Sequence, residues 1–289
     1  MKEKGRKIID FHTHTFPENK SVEIEESLSR SGHVRYYNNA SASDLAKIMK
    51  ENGIVYSVNL PVMTKPDQVF KVNDGLLRRA GQLANDGIIT FGGLHPDYAE
   101  YLSEIKRLKD SGIKGIKLHP AFQGVKINDI RYKKIIYEIS NAGMITIIHC
   151  GFDVSFPGEN NTDIPELLDL IEDVSPQKFV LAHMGGWQNW DKVEKYLLKA
   201  PVFFDTAYSF GKVAARRGEE NLLEFSENMS KERFVKIARN HGIDKILFAT
   251  DSPWSSQEEY IAFVEESGLD TGEKDKVFYE NASKLLELK

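Results

Sequence analysis

Six of the chain's eight histidines stand at the ends of short apolar runs, and a lysine and two aspartates occupy equivalent places. The set is His12, His14, His95, His119, His149 and His183, with Lys117, Asp205 and Asp251. Neutral imidazoles combined with one or two carboxylates are the donor set of zinc and related first-row divalent ions. An ion with one open position lowers the pKa of its water towards neutrality and makes hydroxide available as a nucleophile. His12 and His14 are two residues apart, so a strand would present both on one side. Their metal affinity would depend on pH, because imidazole must be unprotonated to bind. A lone histidine at a strand end is more often a hydrogen-bonded structural residue. The ensemble is what points to a metal centre.

Such residues need a scaffold that lines up many strand ends. Strand-like runs lie at Lys7–His14, Val55–Val62, Ile88–Pro96, Gly112–Pro120, Met144–Gly151, Lys178–Gly186, Val202–Ala207 and Lys245–Pro253. Amphipathic, helix-like segments alternate with them at Ser43–Asn52, Asp67–Asn85, Tyr98–Asp110, Arg131–Ala142, Ile164–Val174, Trp190–Lys199 and Lys231–His241. Eight alternating units predict a parallel α/β fold closed as a (β/α)8 TIM barrel, one domain over residues 1–289. An open doubly wound sheet is the alternative, but no G-x-G-x-x-G loop follows the first strand. Strand parity predicts Ile8 and Asp10 inward beneath His12, with Ile9 and Phe11 outward. It likewise sets Phe179 and Leu181 beneath His183, and Leu247 and Ala249 beneath Asp251. Cys150, next to His149, would face the outer helices. Long connections, residues 15–42 and 208–230, follow strands one and seven and would flank the C-terminal mouth, where substrate loops belong. A last helix, about Gly272–Leu288, is expected outside the barrel. His33 and His241 are expected at the surface.

Length and composition agree with this. The chain has 289 residues, 41% of them hydrophobic, and a formal net charge of −5. That balance offers no basic field for nucleic acid. A single cysteine excludes an internal disulfide, and no apolar run approaches a membrane span. Met1-Lys2-Glu3-Lys4 is not the start of a secretory leader. The expectation is a cytoplasmic enzyme, as monomer or homodimer, whose partner is a small, possibly anionic substrate and neither nucleic acid nor membrane.

Six motifs in order carry a family resemblance. They are Ile9-Asp10-Phe11-His12-Thr13-His14, Gly115-Ile116-Lys117-Leu118-His119-Pro120, Ile148-His149-Cys150-Gly151, Leu181-Ala182-His183-Met184-Gly185-Gly186, Phe204-Asp205-Thr206 and Ala249-Thr250-Asp251-Ser252-Pro253-Trp254. The chain resembles the amidohydrolase superfamily, specifically the amidohydrolase-2 branch that includes aminocarboxymuconate-semialdehyde decarboxylase. The resemblance implies that His12, His14, His149 and Asp251 bind a divalent metal, zinc first, with manganese or another first-row ion as alternatives. It implies that Asp251 also takes a proton from water, and that His183 polarises substrate, handles a proton or ligates a second metal. A lysine placed like Lys117 is carbamylated in two-metal relatives.

The preferred reading is one metal, with Lys117 and His119 holding an anionic substrate group or a hydrogen-bond network. His95 either lines the pocket or caps its strand. Asp205 either orients a histidine or satisfies amides at the mouth. Arg216 and Arg217 would reach a substrate carboxylate or form a solvated pair. Trp187 and Trp254 wall the pocket or pack. Hydrolysis of a small amide, lactone or ester is favoured narrowly over non-oxidative decarboxylation of an unsaturated carboxylate. Gly93-Leu94-His95-Pro96 resembles a motif of TatD-like phosphodiesterases, which place a glutamate where this chain has Lys117 and His119. A binding protein that kept the barrel without catalysis would have lost some of these ligands.

Overall fold

The computed structural model describes residues 6–288. Met1–Gly5, read above as no leader, and Lys289 lie outside the described residues. The strands are β1 (Ile8–Thr13), β2 (Ile54–Asn59), β3 (Ile88–Thr90), β4 (Gly92–Gly93), β5 (Gly115–Leu118), β6 (Ile145–Ile148), β7 (Phe179–Leu181), β8 (Phe203–Asp205) and β9 (Ile246–Leu247). All pair in parallel, in the orders β1-β2-β3 and β4 through β9. The expected third strand is thus split at Phe91, whose amide still donates to Asn59 O at 3.0 Å. Gly115 makes room for the Phe91 ring, since a Cβ there would lie 2.2 Å from it. Closure comes from the segment after β9. Phe11 N donates to Phe248 O at 2.9 Å, His14 N donates to Ser252 O at 2.7 Å, and Thr13 bridges Ser252 in parallel. The result is a (β/α)8 barrel.

Helices Ala42–Glu51, Gln68–Asn85, Tyr101–Asp110, Ile130–Asn141, Ile164–Val174 and Lys231–His241 surround it, within about three residues of their expected bounds. The seventh expected helix is helical over Trp190–Lys192 and continues as a π turn, Val193–Leu197.

The barrel interior corrects two of the parity assignments. Its apolar filling is Ile9, Phe11, Val58, Phe91, Ile145, Ile147, Val180, Leu247 and Ala249, and residues from non-adjacent strands share this one cluster. Ile8, Phe179 and Leu181 instead pack with the helices, as Cys150 does. So Leu247 and Ala249 point inward as expected, whereas Ile9 and Phe11 replace Ile8 and Asp10, and Val180 replaces Phe179 and Leu181. The reason is backbone geometry at the strand ends. Pairing in β1 shifts register between Asp10 and Thr13, and His183 and Met184 take left-handed φ of 61° and 54°. Each break turns the next side chain to the other face. Asp10 faces outward and accepts from Thr250 Oγ1 (2.6 Å), Thr250 N (3.0 Å) and Gln257 Nε2 (2.7 Å). It ties the first strand to the segment that follows the last.

The C-terminal helix also departs from expectation. Ala282, Leu285 and Leu286 join the interior cluster, and Asn281 Nδ2 donates to Ile243 O and Ile246 O, at the start of β9. That segment plugs the N-terminal end of the barrel. Among the described residues, no helix is long and apolar enough to cross a membrane.

At the opposite end the two long connections clasp each other. The first contains an unforeseen helix, Ser21–Gly32, and the strands of contact are Arg35 N to Ala214 O (2.7 Å) and Arg216 N to His33 O (2.9 Å). His33 is half-buried here, bonded to Glu219.

His241 is a correction. It is buried and stacked on Phe204 at 3.8 Å, with Nδ1 accepting from Lys199 N and Nε2 donating to Val202 O. Burial lowers its pKa to about 4 from an ordinary 6.5. Between those values the native state binds fewer protons than the unfolded chain. Its stabilising contribution is therefore complete above pH 6.5 and is lost as pH falls to 4, by at most about 3 kcal/mol. In His241→Gln, the melting temperature is expected to fall less steeply than in the native protein across that window. Parallel pH profiles of the two proteins would contradict this.

Candidate metal centre

The interior filling stops below the mouth, and the polar set begins there. Its hydrogen bonds fix how each imidazole is used. His12 Nδ1 donates to Asp205 Oδ2 at 2.8 Å, leaving Nε2 to accept from Lys117 Nζ at 3.1 Å, with Asp251 Oδ1 3.3 Å away. His14 Nδ1 donates to Leu60 O at 2.7 Å, leaving Nε2 bare at 3.0 Å from the same oxygen. His183 Nδ1 donates to Ala207 O at 2.8 Å, and His149 Nε2 donates to Phe152 O at 3.0 Å. The two remaining lone pairs, His183 Nε2 and His149 Nδ1, face each other at 2.9 Å. Two bare nitrogens at that distance repel unless a cation or proton lies between them. His12 Nε2, His14 Nε2 and Asp251 Oδ1 thus gather at one point, and the His183–His149 pair lies beside them, with the His183 ring 5.4 Å from that of His12.

The fit to a cation is good on spacing alone. An ion with bonds of about 2.1 Å has neighbouring ligand atoms about 3 Å apart. His12, His14 and Asp251 meet that, and their ligand atoms lie within 4.8 Å of one another. The fourth ligand implied by the resemblance is placed differently. His149 groups instead with His119 and Asp153, whose ligand atoms satisfy the same limit. His119 stacks on His149 at 4.2 Å, with Nε2 3.7 Å from Asp153 Oδ2. Asp153 escaped the sequence reading because it lies in a loop, and its only signal was a position four residues past His149.

Electrostatics prepare these donors. Burial, with the Lys117 charge next, holds His12 well below the usual imidazole range. Burial and neighbouring His183 do the same for His149, burial and His149 for His119, and burial lowers His183. Each of these shifts favours the neutral form, the one that binds metal. Burial pushes Asp251 up, but His12, His14 and His183 outweigh it and hold the carboxyl far below its ordinary range. Burial raises Asp153 to about 6. Lys117 is fully buried with Nζ 3.1 Å from His12 Nε2, and burial lowers it to about 8 against the opposing pull of Asp205 and Asp251.

The backbone carries visible strain at this end. His183, Tyr208 and Asp251 take φ of 61°, 50° and 67°, which side chains with a Cβ rarely adopt. Asp205 and Ala207 justify the turn after β8. Asp205 Oδ1 accepts from His183 N (2.9 Å) and Ala207 N (3.1 Å), while Oδ2 holds His12. Asp205 thus orients two histidines. Gly151 has φ 96°, and a Cβ there would lie 2.2 Å from Trp187 N, so glycine lets the loops after β6 and β7 touch and brings His149 to His183.

His95 and Arg216 make contacts within the protein. His95 Nδ1 accepts from Asp97 N at 3.1 Å and caps its own turn. Arg216 is committed to Glu26 (2.9 Å), Ser29 Oγ (2.8 Å) and Glu219 (3.2 Å), where it fastens the two long connections. Arg217 is exposed. Trp187 packs on Tyr208 at 5.6 Å, and its indole donates to Asn228.

A family model described as Amidohydrolase matches residues 9–288. The chain belongs to the amidohydrolase family. With it, this chain joins a family of metal-dependent enzymes. No curated protein matches the chain. Solved structures do resemble this amidohydrolase. A 2,6-dihydroxybenzoate decarboxylase from Rhizobium is 15% identical, covering 98% of this chain and 99% of that one, at a TM-score of 0.69. 5-Carboxyvanillate decarboxylase from Sphingomonas paucimobilis is 13% identical, covering 99% and 100%, at 0.67. A dihydroxybenzoic acid decarboxylase from Polaromonas sp. JS666, with bound manganese and the inhibitor 2-nitroresorcinol, is 14% identical, covering 98% of each, at 0.67. At these identities the likeness speaks for the fold.

Proposed function

We propose that this amidohydrolase is a metal-dependent, non-oxidative decarboxylase of a small aromatic or conjugated carboxylate. The observation that carries the reading is Lys117, a cation wholly buried whose ammonium donates to His12 Nε2. Among the described residues its ammonium makes no hydrogen bond to a carboxylate, and beyond the bond to His12 Nε2 it keeps donors for a substrate anion. The decarboxylases above, which span the whole fold, support the same choice. This reverses the narrow preference for hydrolysis drawn from sequence.

In this reading His12, His14 and Asp251 hold the metal, zinc or manganese, for which the mixed imidazole and carboxylate set is suited, and His149 stands apart with His119 and Asp153. The bound ion supplies a Lewis acid that withdraws charge from substrate oxygens. The chain's own residues do the rest. Lys117 and His119 hold the carboxylate and orient it. The bond between the ring carbon and the carboxylate carbon breaks, carbon dioxide leaves, and the electron pair stays on the ring carbon. That carbon then takes a proton, which His183 conveys at Nε2 while Ala207 O fixes its other nitrogen. Asp205 acts through His12 and His183 and touches no substrate.

Product analysis in D2O tests this. With 2,6-dihydroxybenzoate or 5-carboxyvanillate, the metal-loaded protein is expected to release one carbon dioxide per turnover and place one deuterium on the vacated carbon. Hydrolysis of esters, lactones or amides, with both carboxylates left intact, would overturn the reading.

A further inference from the structure

The ligand triad is assembled from the two ends of the chain. His14 on β1 and Asp251 past β9 are 237 residues apart in sequence. Among the described residues, β1 and β9 form no regular ladder across this seam. Three backbone bonds cross it: Phe11 N to Phe248 O at 2.9 Å, Asp251 N to His12 O at 2.8 Å and His14 N to Ser252 O at 2.7 Å. Asp251 itself holds a left-handed φ of 67°, which a residue with a Cβ keeps only where its surroundings enforce it. Something must fix this carboxylate against the two imidazoles.

Asp10 stands at that seam, wholly buried. Its Oδ1 accepts from Thr250 N at 3.0 Å and, more weakly, from His12 N at 3.4 Å. One oxygen thus takes the amide of one ligand residue and the amide next to another. Oδ2 accepts from Thr250 Oγ1 at 2.6 Å and from Gln257 Nε2 at 2.7 Å. The same Thr250 hydroxyl accepts from Ser252 N at 3.1 Å, so it spans the strained residue from one side to the other. All of these donors are uncharged, and a buried carboxylate without a counter-ion is costly. Gln257 adds a second cost. It turns its amide to Asp10 while its own Oε1 lies buried without a partner.

We propose that Asp10 is a positioning residue for the metal, which acts through Thr250 to set the Asp251 carboxylate at its working distance from His12 and His14. Asp10 touches neither ion nor substrate. The inference rests on the metal triad assigned above and is independent of the reaction that the metal serves.

Calorimetric titration of the chelator-stripped protein with Mn2+ tests it. Asp10→Ala is expected to raise the Kd for Mn2+ by about 10- to 100-fold, the usual effect of removing a group that orients metal ligands. Asp10→Asn is expected to stay within about threefold of native, because Gln257 can turn and offer its unpartnered Oε1 to the new amide. Thr250→Val keeps the amide and loses only the hydroxyl, and should weaken Mn2+ in the same direction by a smaller factor. Asn281→Ala is the control for lost stability, since it removes two hydrogen bonds at the far end of the barrel. It is expected to lower the melting temperature and leave the Kd unchanged. A native Kd in Asp10→Ala, or equal weakening in Asn281→Ala, would overturn the inference and leave the triad standing. A native protein that takes up no Mn2+ would remove the triad and the inference with it.

Discussion

Replacing His12 and His14 together with alanine is expected to empty the metal centre and lower turnover by at least about 10³. Two of the triad's three ligand groups disappear, and Asp251 Oδ1 loses both imidazole partners, at 3.0 and 3.3 Å. Asp251 alone remains of its triad, since His149 belongs to a separate group with His119 and Asp153. Three protein donors are the ordinary minimum for a retained catalytic ion. Metal analysis after dialysis reads the result, with circular dichroism confirming the barrel. Full metal content in the double variant would refute the ligand assignment.

Lys117→Met is expected to do the opposite. Methionine fills the same volume without charge, so the barrel should persist. Removal of a cation 3.1 Å from His12 Nε2 leaves metal affinity equal or tighter. The substrate carboxylate loses its buried counter-charge, and kcat/KM for decarboxylation should fall by about 10² to 10³, in line with loss of a desolvated charged contact. An active variant, or one that sheds its metal, would show that Lys117 serves the scaffold and not the substrate anion.

Much of this was legible in the chain. Alternation of apolar runs and amphipathic helices specified the barrel, because both periods are set by burial alone. The strand-end residues were legible for the same reason, since a polar residue crowning an apolar run must face the mouth. Side-chain parity was less so. It failed in β1 and after β7, where the register shift and the left-handed His183 depend on contacts with distant strands. Asp205 was left open between two roles, and its hydrogen bonds to His12 and His183 show it orienting both.

The loops were the least legible part. Arg216 was left open between a substrate carboxylate and a solvated pair, but its partners Glu26 and Glu219 lie in two separate connections whose pairing no local pattern encodes. His241 sat at a helix end where exposure is the rule, and it is buried by Phe204, Lys199 and Val202, which are remote in sequence. Asp153 was passed over because it belongs to no strand. Its placement follows from the turn after β6, which tertiary contacts set.

The most direct test of the account is a count of metal in the purified native protein. About one zinc or manganese ion per chain, removed by chelation together with carbon dioxide release and restored with it, is the predicted result. A chain that holds no divalent ion even after reconstitution, or that releases carbon dioxide at full rate without one, would contradict it.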